Sequence, residues 1–228
     1  MILERKFRVP RCWSNQELLK MAHLFQGSIA NVSGWMDADK EGKKYKDYFT
    51  RASEYWITNY KPEARGFQGN QTNEIYLDLA APLEQALKGR FDVVFNHTVL
   101  EHVFKIETAF TNLCSMSKDV VVIVVPFLQE QHGAYGDYWR FTPQAVEKLF
   151  SENGLTTLYM NFNDSANASI YLFAVGARCP ERWDSIVGMP GNQRKQIATI
   201  NLGTKLFKVS WFERTVIKLF KILRLSDL

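Results

Sequence analysis

The stretch FDVVFNHTVLEHV, residues 91–103, decides the fold. Apart from Asp92, residues 91–95 are apolar and partly β-branched, which suits a buried strand. Asn96 and His97 break the run, and a helix is predicted to start at Thr98, with Glu101 and His102 near its beginning. The next apolar run, VVVIVVP at 120–126, is almost entirely β-branched, as expected of a central parallel strand buried on both faces. Parallel sheets bind ligands outside the carboxyl ends of their strands. Asn96 and His97 are therefore expected to face a site.

Working outward, strands are predicted at 28–32, 54–60 and 74–79, with loops at 61–73 and 129–141. Ser14 and Glu17 form an S-x-x-E pattern before an apolar stripe, which predicts a capped helix over 14–25. A helix or turn is expected at 43–52. Helices are expected at 82–88 and 98–113, and at 143–153, where Pro143 opens the helix and Gly154 closes it. Strands at 155–161 and 169–177 are joined by only a short polar connection, which requires an antiparallel pair. The expected fold is α/β: a Rossmann-like, mostly parallel sheet with a terminal antiparallel hairpin, followed by a C-terminal amphipathic helix. The domain is expected to span 1–178, with a linker over 179–203 carrying Pro180, Gly188, Pro190 and Gly191, and a basic helix in 204–228.

A second motif follows the 120–126 run. VVPF at 124–127 leads to His132, Gly133 and DYWRFT at 137–142. With FDVVFNHTVLEHV, SNQE at 14–17 and YKDYF at 45–49, it resembles class I S-adenosylmethionine (SAM)-dependent methyltransferases. The likeness is to the small bacterial type found among polysaccharide- and lipopolysaccharide-synthesis enzymes, and it covers roughly 11–178. It implies transfer of a methyl group from SAM to a hydroxyl or similar group of a glycan or glycan precursor. It also implies His132, then His97, as general base, with Tyr135, Asp137, Tyr138 and Arg140 at the acceptor. The implied cofactor residues are Asn31, Ser33 and Gly34 after the first strand, Asn59 toward the ribose, Asp78 and Leu79 at the adenine, and Asn96. Gly34 stands where this family has a glycine, whereas Ser33 and Trp35 stand in a glycine-rich turn and Asn59 stands where an acid is usual. Two alternatives therefore stay open: a binding or scaffold subunit of the same fold, or a same-fold enzyme acting on a nucleotide or sugar phosphate.

The 228 residues are 46% hydrophobic and 23% charged, with a net charge of +4, enough for a large core without disulfides. No nucleic-acid motif is present, so no nucleic-acid partner is expected. Cys12, Cys114 and Cys179 are far apart, which points to a reduced, cytoplasmic protein. No histidine or cysteine pair has metal-ligand spacing, so no metal is expected, and no G-x-S-x-G elbow suggests a hydrolase. No signal or membrane-spanning run is read from the sequence. In the tail, Arg214, Lys218, Lys221 and Arg224 segregate from Val209, Phe212, Val216, Leu219, Phe220 and Leu223. That pattern fits a helix lying on an anionic membrane surface, which would place the protein peripherally on the inner face of the cell membrane. It equally fits a helix packed on its own domain or in a homodimer.

Overall fold

The computed structural model describes residues 4–61, 66–133 and 136–207. Among them, seven strands form one sheet: β1 (Gln26–Val32), β2 (Arg51–Asn59), β3 (Glu74–Tyr76), β4 (Phe91–His97), β5 (Ser117–Leu128), β6 (Thr156–Phe162) and β7 (Ile170–Ala177). Their order is β3-β2-β1-β4-β5-β7-β6. Strands β1 to β5 pair in parallel, and β7 runs antiparallel to both β5 and β6. The hairpin expected from the short connection is thus present. The third strand ends at Tyr76, three residues earlier than expected.

Both faces of the sheet are covered, and alternate side chains of each strand go to opposite faces. On one face Ala30, Val94, Val121 and Ile123 pack against α2 (Ile106–Met116) and α3 (Pro143–Glu152). On the other, Ile29, Val93, Phe95 and Val122 pack against α1 (Arg8–Met21) and against Tyr45, Tyr48 and Phe49. Helix α3 starts as expected: Thr142 Oγ1 accepts the Ala145 N–H, and Pro143 occupies the first turn, where its missing N–H costs nothing.

Three helices differ from expectation. Helix α1 begins at Arg8, six residues before Ser14, because the Glu4 carboxylate receives the N–H groups of Phe7 and Arg8 and so serves the helix start. Ser14 is consequently an interior residue. The helix expected over 98–113 is two pieces, a 3₁₀ turn at Leu100–His102 and then α2. The segment 82–88 forms only a 3₁₀ turn at Gln85–Leu87.

The expected linker is also different. Residues 179–203 are folded onto the domain and wrap around the edge strand β6. Ile186, in α4 (Asp184–Val187), is buried in the core on the α1 face, whereas Ile197 is buried on the α2–α3 face. Between them the Gln193 N–H donates to the Met160 carbonyl (2.7 Å), and the Asn192 amide bonds both the Leu158 carbonyl and the Met160 N–H (2.8 and 3.2 Å). The strap supplies partners for an edge that would otherwise present open backbone groups. The C-terminal helix expected over 204–225 lies outside the described residues, except for a 3₁₀ turn at Thr204–Phe207.

Candidate active site

The carboxyl ends of β1 and β4 are neighbours, and the sheet reverses its winding direction between them, a topological switch point. Two segments meet there: the loop after β1 and the turn after β4.

The loop after β1 has an unusual backbone. Ser33, Trp35 and Asp37 all adopt left-handed φ angles, +57°, +48° and +58°. Non-glycine residues in this region cost about 1–3 kcal/mol each and persist where surroundings over-determine them. Here the determinant is Asp37, buried and receiving Asn31 Nδ2 (2.7 Å), the Tyr55 hydroxyl (2.6 Å) and the Lys46 N–H (2.9 Å). Burial raises its carboxyl above the ordinary value, although these bonds oppose the shift. Gly34 is not left-handed. It is needed because a Cβ there would lie 2.5 Å from Asn31 Nδ2.

The N–H groups of Ser33, Gly34 and Trp35 are directed to the end of β2: to Thr58 Oγ1, the Thr58 carbonyl and Asn59 Oδ1. Asn59 also donates to Glu74 Oε1 (2.6 Å) and the Trp35 carbonyl. It is thus buried as a pin between loop and strand, not set free toward a ribose. Leu79 is a core residue, while Asp78 beside it is half-buried and caps the Ala80 N–H. Asn96 Nδ2 donates to the Val32 carbonyl at the end of β1, but its Oδ1 is buried with no hydrogen-bond partner among the described residues. That orphaned acceptor fits a ligand donor, as a methionine ammonium would supply.

His97 is fully engaged. The Ser14 hydroxyl donates to the Arg11 carbonyl (2.9 Å), so the 2.8 Å contact between Ser14 Oγ and His97 Nε2 requires the imidazole to donate. Nδ1 then accepts from Thr98 Oγ1 at 3.2 Å. Burial, and then the positive charge of Arg11, hold His97 well below its ordinary pKa, so the ring is neutral. With both nitrogens occupied it is poorly placed to take a substrate proton.

Around the 3₁₀ turn after β4 the loop following β5 folds over. The Tyr138 and Trp139 N–H groups both bond the Glu101 carbonyl. Arg140 grips both oxygens of Asp137, at 2.5 and 2.7 Å, and its remaining donors go to the Gln129, Glu130 and Trp139 carbonyls. The guanidinium holds Asp137 well below the usual carboxylate range. Asp137 and Arg140, expected at the acceptor, are therefore the internal frame of this loop. Of the expected acceptor residues that are described, only Tyr138 is exposed, edge-on against an exposed Phe104. Tyr135 lies outside the described residues.

Inside that frame sits His132. Its Nδ1 is 3.2 Å from Asp137 Oδ2 but outside hydrogen-bonding geometry, and its ring lies 5.0 Å from that of His102. Burial lowers the pKa of both histidines. Glu101 was given no role by sequence, yet its side chain is almost completely buried and neither carboxylate oxygen has a hydrogen-bond partner among the described residues. Burial pushes its carboxyl up to about 7. A glutamate in a helical first turn ordinarily faces solvent and complements the helix dipole. Nothing local marks this one as different.

No family model matches the chain, and no curated protein does. Solved structures do resemble it. A protein of Bacillus halodurans C-125 assigned as a methyltransferase superposes with a TM-score of 0.52 at 9% identity, over 72% of this chain and 97% of its own. An S-adenosylmethionine-dependent methyltransferase from Clostridium acetobutylicum ATCC 824 gives 0.50 at 8% identity, over 75% and 91%. The fold is the Rossmann-like fold of class I methyltransferases.

Proposed function

We propose that the protein is a SAM-dependent methyltransferase. The observation that carries this reading is the switch point between β1 and β4, where a strained loop and the orphaned Asn96 Oδ1 meet. Asn96 would hold the methionine end of SAM, Asp78 would meet the adenine amine, and Ser33 and Gly34 would line the bed between them. SAM itself supplies an electrophilic methyl group, and the protein's part is to orient the acceptor in line with it. His132, half-enclosed by the loop after β5, is the better-placed general base, because His97 is bound on both sides.

The acceptor proposed is a hydroxyl of a glycan or glycan precursor. Support comes from the exposed aromatic rings of Phe104 and Tyr138, which pack edge to face, Phe104 lying two residues after His102, since sugar rings stack their apolar faces on such platforms. No helix among the described residues is long and apolar enough to cross a membrane. The basic tail is proposed to bring the enzyme to an anionic surface carrying a lipid-linked acceptor, and co-sedimentation with anionic liposomes would test it.

Titration of the purified full chain with SAM and with S-adenosylhomocysteine by calorimetry is the deciding experiment. Binding of both is expected, weakened by roughly 1–3 kcal/mol in Asp78→Ala, as for a lost buried hydrogen bond. Absence of binding at millimolar ligand would favour the scaffold reading of the same fold.

A further inference from the structure

Glu101, His102 and His132 come together at the mouth of the site although 30 residues separate the second from the third. One carboxylate oxygen and one nitrogen from each ring lie within 4.8 Å of one another. The arrangement around them has the form of a second coordination shell. His102 Nδ1 is 2.5 Å from the Gly136 carbonyl, which can only accept, so Nδ1 carries the proton and Nε2 bears the lone pair. That Nε2 is 3.8 Å from Glu101 Oε1. A nitrogen lone pair thus faces a buried carboxylate whose two oxygens find no hydrogen-bond donor among the described residues. Metal-binding histidines are oriented by a carbonyl or carboxylate on the far nitrogen, as the Gly136 carbonyl orients His102. Asp137, fixed by Arg140, lies 3.2 Å from His132 Nδ1, and a small rotation of that ring would bring it into hydrogen-bonding geometry.

We propose that Glu101, His102 and His132 bind one divalent transition-metal ion, of the zinc or iron(II) class. Two imidazoles and one carboxylate favour such an ion over magnesium or calcium, which prefer all-oxygen sets. A tetrahedral ion with donors at about 2.0–2.1 Å would hold them roughly 3.4 Å apart, so movement of about an ångström by the side chains closes the cluster. Three protein ligands leave at least one position open. Glu101 is buried, but the two histidine side chains are 13% and 11% exposed, so the open position would lie on the histidine side of the cluster, where solvent reaches it. It would take an oxygen of the acceptor; a bound ion would hold His132 as a ligand and would itself activate that oxygen, in place of the base role proposed for the metal-free histidine. The expectation of no metal rested on spacing along the chain, whereas the cluster is assembled by the loop after β5.

The site stands independently of the methyl-transfer reading, because metal binding requires neither SAM nor acceptor. The test is titration of the chelator-stripped full chain with Zn²⁺ by calorimetry, and with Co²⁺ by visible absorption. One ion per chain is expected, with Co²⁺ bands typical of mixed nitrogen and oxygen ligands. Glu101→Gln and His132→Ala should each weaken binding at least ~10-fold, while the exposed His23→Ala leaves it unchanged. Circular dichroism and unfolding of each variant establish that it is folded. If Glu101→Gln fails to fold, His132→Ala, in a loop, carries the test alone. Absence of stoichiometric binding by folded wild type overturns the site, as does binding that survives His132→Ala and disappears in His23→Ala. SAM binding with no metal would leave the enzyme reading intact, and metal with no SAM would leave the site intact.

Discussion

Arg140 and Asp137, three residues apart, form a two-pronged ion pair with contacts of 2.5 and 2.7 Å, and Asp137 also receives the His132 N–H at 2.8 Å. The loop that carries His132 is therefore shaped by a residue that itself touches no reacting group. Lysine at position 140 keeps the charge but offers neither the planar fork nor the reach to the Gln129 and Glu130 carbonyls. Arg140→Lys is expected to cost about 1–2 kcal/mol in denaturant unfolding. Turnover should fall further than SAM affinity, since the loop positions the base and not the cofactor. Equal loss of both would mean that the loop also shapes the cofactor bed.

The loop after β1 allows a sharper test, because two adjacent residues are predicted to respond oppositely. Ser33 is left-handed and Gly34 is not. Ser33→Gly removes a strained residue and should raise stability by about 0.5–1 kcal/mol. Gly34→Ala drives a methyl group into Asn31 Nδ2, loosens the bond from Asn31 to Asp37, and should lower stability by roughly 1–3 kcal/mol. Chemical denaturation of both variants checks the pair, and two changes of the same sign would contradict the backbone assignment.

His97 gives a pH dependence with a defined sign. Its folded pKa is depressed by burial and by Arg11, whereas the unfolded chain takes up a proton near the ordinary histidine value of about 6.5. Below that pH the unfolded state binds more protons, so stability falls as pH falls. His97→Gln should be less stable than wild type at pH 8, having lost the contacts to Ser14 and Thr98. Between pH 7 and 5, however, it should lose less stability, by up to ~2 kcal/mol at 1.36 kcal/mol per unit. Parallel stability–pH curves would show that His97 takes up its proton equally readily in the folded and unfolded states, against the depressed folded pKa.

The sheet was legible because its signals are local: β-branched runs for β4 and β5, and a connection too short for anything but an antiparallel hairpin. The start of α1 was not. Ser14-x-x-Glu17 has the letters of a capping box, but Ser14 bonds Arg11 and His97, and Glu17 receives the Tyr159 hydroxyl at 2.6 Å from a distant strand. The candidate site divides in the same way. Asn96 and His97 follow from their place at a strand end, whereas Glu101 becomes distinctive only when Tyr138 and Trp139 close over its turn. Asn59 was visible as a polar strand end, but its pairing with Glu74 depends on two strands meeting.

The strap over β6 is where proline and glycine content misled most, and it sets the true end of the domain. Asn192 alone bonds the Leu158 carbonyl, the Met160 N–H, the Val187 carbonyl and the Arg194 N–H. Asn192→Ala leaves two groups of β6 without partners and should cost about 2–3 kcal/mol. Farther on, Gly203 is packed so closely that a Cβ would meet Leu128 at 2.8 Å, so the fold continues past the strap. A chain ending at Phe207 should therefore unfold cooperatively with nearly the full chain's stability. One ending at Arg178 would uncover Ile186 and Ile197 sites on both faces and the open edge of β6, and should aggregate or unfold at low denaturant. Urea unfolding followed by tryptophan fluorescence distinguishes the two. A stable, monomeric 1–178 fragment would show that residues 179–203 are a linker after all.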